Sequence, residues 1–124
     1  MLNPVRILFR DLTDEGEEGA GHVHRVRLSR AVKLRSLYAK GNGLTPGESA
    51  GDLYRVRIYA DDPRSSCWHL ELKAASRGED SRTPDVLHQG LEIHLPDTFW
   101  VTYQLLNAGI GPKSMLHVEL FVES

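Results

Sequence analysis

The chain has 124 residues, 40% of them hydrophobic, and a formal net charge of −2. That length makes a single domain around one core, and the charge excludes a generic nucleic-acid binder with a strongly basic surface, though not a local basic patch. The lone cysteine, Cys67, excludes an internal disulfide and argues against a thiolate zinc site.

Val5 to Leu12 opens the chain as a strand, with Val5, Ile7 and Phe9 on one parity. Thr13 to Gly21 carries three glycines and four acids and reads as an exposed loop. From His24 to Tyr38 the alternation is clear. Val26, Leu28, Val32, Leu34 and Tyr38 share one parity, while Arg25, Arg27, Ser29, Lys33 and Arg35 occupy the other. Successive strand side chains point to opposite faces, so the pattern has one dry and one wet side. His22 to Tyr38 is too long for one ordinary strand. Arg30, a polar intruder on the apolar parity, marks the expected corner or bulge.

Gly41 to Gly51 reads as a loop, and Leu53 to Ala60 as a strand with Tyr54, Val56 and Ile58 inward. Asp61 to Arg64 is a turn built on Pro63. Cys67 to Ala74 alternates again, with Cys67 expected as a small buried thiol, and Ala75 to Pro84 is a polar surface loop. Leu87 to Leu95 and Phe99 to Leu106 are strands on either side of a Pro96-Asp97 turn. Asn107 to Ser114 reads as a glycine-rich hairpin connection into a last strand, Met115 to Glu123. Seven or eight strands with frequent turn signals and no helix indicate an all-β antiparallel sandwich, most naturally a jelly roll.

Met1 to Phe9 has no long apolar run, so neither a signal nor a transit peptide is expected. No stretch is long enough to cross a bilayer as a helix. The expectation is a soluble intracellular protein that makes no membrane contact.

Several segments carry a resemblance. Gly90-Leu91-Glu92-Ile93, Pro96, Thr98-Phe99 and Ala108-Gly109-Ile110-Gly111-Pro112 resemble the last strands of nucleoplasmin-family histone chaperones. Ser49-Ala50-Gly51-Asp52, then Tyr54-Arg55-Val56-Arg57-Ile58, resembles that family's A-K-D-E loop and following strand, with Gly51 and Leu53 in place of its lysine and glutamate. His69-Leu70-Glu71-Leu72-Lys73 falls where the family has a short strand, and Asp14-Glu15-Gly16-Glu17-Glu18 where it has its first acidic tract. The resemblance implies an eight-stranded jelly roll in a pentameric ring, with paired rings as a further option. It also implies non-catalytic binding of histones or other basic proteins, a nuclear location, and no cofactor. It adds Gly109, Gly111 and Pro112 to the oligomer interface and assigns ring-to-ring contact to Ala50, Gly51 and Asp52. The family's long acidic tail has no counterpart in the sequence.

Read residue by residue, four features stand out. Asp14, Glu15, Glu17 and Glu18 form a negative loop able to steer a basic, histone-like partner, or simply a solvated one. The outward Arg25, Arg27, Lys33, Arg35, Arg55 and Arg57 form a basic stripe if their strands are neighbours; cross-strand pairing with Glu71, Glu92 and Glu119 is the favoured reading. Trp100, Leu106 and Phe121 are large apolar groups on wet parities, which points to a subunit interface or, as the alternative, to cover by loops of the same chain. His22 and His24 are spaced for one strand face, yet no third metal ligand accompanies them, while His69, His94 and His117 occupy wet positions. No nucleophile with its base is identifiable, so no enzyme is expected. The rival to the chaperone reading is a viral single-jelly-roll capsid or vertex subunit, in which the basic stripe would face nucleic acid. A carbohydrate-binding sandwich would draw only on Trp100 and Tyr59.

Overall fold

A computed structural model describes residues 2–16, 19, 21–46, 52–64, 70–75 and 85–124. Among these there is no helix, and the chain forms nine strands in two antiparallel sheets. They are β1 (Leu2–Arg10), β2 (Val23–Arg27), β3 (Val32–Pro46), β4 (Asp52–Tyr59), β5 (Leu70–Ala75), β6 (Asp85–His88), β7 (Ile93–Leu95), β8 (Thr98–Leu105) and β9 (Ala108–Glu123). One sheet runs β1-β9-β3-β6, with β7 also paired to β3; the other runs β2-β8-β4-β5. No described helix is long and apolar enough to cross a membrane. Cys67 and Trp68 lie outside the described residues.

The core forms where the apolar parities of the two sheets meet. Ile7 and Phe9 of β1, Leu34 and Leu37 of β3, and Leu116, Val118 and Leu120 of β9 face Tyr54, Val56 and Ile58 of β4 and Phe99, Val101 and Tyr103 of β8. Truncating any of these large side chains to alanine removes about 2–5 kcal/mol of stability. The chain changes sheets between Arg27 and Val32, where Ser29 and Arg30 bend in the open. That is the corner Arg30 signals.

Four expectations need correction. Tyr38 is not inward. A β-bulge between Leu34 and Ser36 inserts one residue against β9, so Leu37 and Ala39 take over the buried parity and Tyr38 turns outward. The carbonyl of Arg35 at this bulge accepts the Leu91 amide, 3.0 Å away. Second, Gly41 to Pro46 is strand rather than loop, because it pairs with Ala108 to Leu116 and buries Leu44. Third, Asn107 to Ser114 is no hairpin: β8 and β9 belong to different sheets, and only Leu106 and Asn107 bend between them. Fourth, the stretch from Leu87 to Leu95 breaks at Gly90, whose φ of 71° is left-handed, so one expected strand becomes β6 and β7.

A second irregularity in the β3–β9 ladder lies between Asn42 and Leu44. There Gly43 (φ 72°), Lys113 (φ 56°) and Asp11 (φ 50°) all adopt left-handed backbone near Ser114. Asp11 donates its amide to the Ser114 carbonyl at 3.0 Å, and the buried Ser114 hydroxyl accepts the Leu12 amide at 3.0 Å. A Cβ on Gly43 would sit 2.9 Å from the Ser114 Cα, whereas one on Gly90 meets nothing within 4 Å.

Gly90→Ala should therefore cost only its conformational penalty, about 1–2 kcal/mol. Gly43→Ala should cost clearly more, because backbone must also move. Urea denaturation of both variants tests this; equal losses would contradict the close approach at Ser114.

Candidate functional site

The acidic loop is fixed by a buried histidine. His22 is fully buried just before β2, and its ring stacks on Tyr103 with centroids 4.1 Å apart and planes 13° from parallel. Its Nδ1 lies 3.0 Å from the Tyr103 carbonyl, which only accepts, so Nδ1 carries the proton. Nε2 then accepts from the Thr13 hydroxyl at 2.6 Å. The Thr13 amide donates to the Tyr103 phenol oxygen at 3.2 Å. Thr13 and His22 thus pin the two ends of the loop to one β8 residue, with Asp14 and Glu15 exposed between them. Glu17 and Glu18 lie outside the described residues. Sequence spacing marks the loop but carries no signal for this anchor, since Thr13 and Tyr103 meet only through the fold.

His22 and His24 do not share a site: His22 is inside and His24 exposed. Among the described residues, no group of three or more His, Cys, Asp or Glu side chains is placed to hold a metal ion.

The basic stripe divides between the two sheets. Lys33 and Arg35 belong to β3, and Arg35 approaches Glu92 at 3.7 Å. Arg25 and Arg27 of β2 and Arg55 and Arg57 of β4 share the outer face of the four-stranded sheet, across β8. Arg57 donates to Glu71 Oε2 at 2.6 Å from both Nε and Nη2, while Lys73 stands 3.4 Å from Oε1. Burial alone would raise the Glu71 pKa. The hydrogen bonds and charges of Arg57 and Lys73 outweigh it and hold the carboxyl below its ordinary value. Arg55 donates to the Gln104 side-chain oxygen. Arg25 sits with its guanidinium 6.0 Å from the Trp100 ring centroid. Glu71 thus takes the cross-strand role expected of it, Glu92 reaches Arg35 from the segment before β7, and Glu119 pairs instead with Arg6 at 3.3 Å.

Trp100, Leu106 and Phe121 come to three places. Trp100 is half-buried on the outer face of the four-stranded sheet, between Arg25 and Tyr59. It lines a cleft of about 290 Å³ with Gly19, Gly21, Val23, Asp62, Pro63 and Arg64. Asp62 in that cleft is held to about pH 2 in its ionisation by side-chain and backbone hydrogen bonds from Arg64. Tyr59, by contrast, is buried. Phe121 lies on the opposite outer face, registered between Pro4 and Ser36, and Leu106 is exposed in the bend before β9. Gly109 and Gly111 are half-buried in β9 and Pro112 is exposed there. Asp52 opens β4, and Ala50 and Gly51 lie outside the described residues.

The five-stranded sheet exposes more apolar surface than those residues alone suggest. Leu2 and Leu8 of β1 and Leu87 of β6 are exposed at 50%, 43% and 53% on its outer face. Leu2 and Leu8 occupy the wet parity of β1, so that signal was present in the sequence. Leu87 was concealed by the unrecognised break at Gly90. Around them lie opposite charges registered across strands: Arg6 with Glu119, Lys33 with Glu123, and Lys40 with Asp85.

No family model matches the sequence, and a comparison with curated proteins finds no match.

Two measurements check this geometry. His22→Phe keeps a ring against Tyr103 but removes both hydrogen bonds, so it should cost about 1–3 kcal/mol and speed amide exchange at Thr13. Unchanged exchange would show that the loop is held some other way. For Glu71, a lowered pKa contributes stability that is present above its ordinary value of 4.5 and lost as pH falls through the lower folded value. The stability gap between the native protein and Glu71→Gln should therefore be full near neutrality and shrink in acid, as followed by denaturation at several pH values.

Proposed function

We propose that this protein is a non-catalytic, self-assembling jelly-roll subunit that acts as a nucleoplasmin-like chaperone core. In this reading, copies close into a pentameric ring, and the acidic loop repeated around it holds histones or other basic proteins. The observation that carries the proposal is the strand order. β1-β9-β3-β6 facing β2-β8-β4-β5 is the arrangement that two interleaved Greek keys of eight strands produce, with β6 and β7 counted as one broken strand.

Assembly is supported by apolar surface away from Trp100. Phe121, Leu2, Leu8 and Leu87 lie on the outer face of the five-stranded sheet, and Leu106 is exposed in the bend before β9. A ring requires each subunit to present two different surfaces, one to each neighbour. The anchored loop supports the partner. Asp14 and Glu15 project from a base fixed by His22, so ordering them for binding costs little entropy. Five weak loops acting together would bind far more tightly than one. Ala50, Gly51 and Asp52 remain the proposed contact between paired rings, and a nuclear location follows from the same reading.

One observation favours the second reading, a structural capsid or vertex subunit. Arg25 and Arg27 are exposed on the same face as Arg55 and Arg57, which suits a surface turned toward packaged nucleic acid.

The mass in solution should be about five times the 13.9 kDa of one chain. A stable monomer at micromolar concentration would remove the ring proposal. Replacing Asp14, Glu15, Glu17 and Glu18 with their amides should weaken salt-sensitive binding of core histones by at least about tenfold; unchanged binding would remove the chaperone role.

A further inference from the structure

We infer that the outer face of the four-stranded sheet is a binding track for single-stranded nucleic acid, laid along β8. The inference concerns the surface of one chain and does not rest on the ring or on the chaperone role.

The argument begins with register. Outward positions along β8 are Thr98, Trp100, Thr102 and Gln104, and each is registered beside one arginine. Arg27 pairs with Thr98, Arg25 with Trp100, Arg57 with Thr102 and Arg55 with Gln104. Two residues along a strand advance about 7 Å, so the four guanidiniums step along β8 at that interval. They also pass from the β2 side to the β4 side, which makes the track a shallow diagonal. Lys73 adds a fifth cation beside Arg55, and Glu71 and Asp52 are the carboxylates of these four strands among the described residues. In a chain of net charge −2, this is a strongly segregated face.

The β8 residues beneath the arginines are not charged. Thr98 and Gln104 offer hydrogen bonds and Trp100 offers a ring, while Thr102 is fully buried. Arginines spaced along a backbone path with an aromatic between them is how single strands are held: the cations meet phosphates and the ring takes the face of a base. The cleft of about 290 Å³ beside Trp100 provides the space, with Gly19 and Gly21 allowing close approach along its wall. A duplex hides its base faces and would leave Trp100 unused. The pairing of Arg57 with Glu71 and of Arg55 with Gln104 holds those guanidiniums across the sheet, where their charge adds to the field along the track. Acidic surface also bounds the track. Asp62 lines the cleft beside Arg64, and Gly19 and Gly21 belong to the loop that carries Asp14 and Glu15, so the cleft takes a base while the phosphates run toward Arg55 and Lys73.

The test uses the full chain and a labelled twenty-nucleotide oligothymidylate, followed by fluorescence anisotropy. Binding should weaken roughly twentyfold to fiftyfold between about 50 and 200 mM salt, as expected when three to four phosphates are neutralised. Arg25→Glu with Arg27→Glu should lower affinity by more than about tenfold. Arg6→Glu with Arg10→Glu makes the same change of charge on exposed residues of the opposite sheet and should leave affinity within about twofold. Trp100→Ala should weaken oligothymidylate binding by about tenfold while leaving heparin binding unchanged. The inference is overturned by absence of binding at 50 mM salt, by equal losses in the two charge-reversed variants, or by a Trp100→Ala variant that treats both polyanions alike. None of these outcomes bears on oligomer mass or histone binding, so the two proposals fail separately.

Discussion

The pairing of β3 with β9 is the interaction on which the rest of the molecule depends. From Lys33 opposite Glu123 to Pro46 opposite Ala108, it joins residues far apart in sequence into the longest ladder of the fold. β1 attaches to the far side of β9, and β6 and β7 attach to the far side of β3. The five-stranded sheet therefore has no order without that one ladder. Its two irregularities are equally consequential. The bulge near Arg35 resets which residues are buried, and the one at Gly43 brings the end of β1 against Ser114.

Strand type was readable from alternation almost everywhere, because one buried face forces a period of two. The reading failed where pairing overrides composition. Gly41 to Pro46 and Ala108 to Ser114 are rich in glycine and look like loops, yet they belong to partner strands of the same ladder. Glycine there permits a bulge and a close approach rather than a turn. Tyr38 misled for a related reason: parity is a local rule, and a single inserted residue inverts everything after it. Of the candidate sites, the charges themselves could be seen in sequence, but their grouping could not. Which arginines share a face follows from β8 lying between β2 and β4, and no spacing along the chain encodes that.

The two outer faces have opposite characters. The four-stranded face is polar and cationic around Trp100. The five-stranded face carries exposed leucines among charges that balance one another across strands. A face of balanced charge and apolar patches suits contact with other copies of the chain, since burying it leaves no net charge unpaired. A cationic face keeps its charges wet and useful only if it remains open until a polyanion arrives. The sandwich is thus chemically two-sided, although its core is symmetrical in kind.

The attachment of β1 to β9 has a consequence for how the protein is made. Leu2 is registered opposite Glu123, so among the described residues β1 has its one partner in β9, more than a hundred residues further along the chain. On the ribosome, Val5, Ile7 and Phe9 must wait with their apolar face open until residue 123 has emerged. Most of the intervening chain, including both β3 and β8, is present earlier but lacks the central strand that organises the first sheet. Closing the first sheet therefore waits on a contact of high sequence separation, which slows folding and leaves apolar surface open to aggregation until β9 has been made. A cell producing this protein in quantity must shield β1 for the whole of that interval.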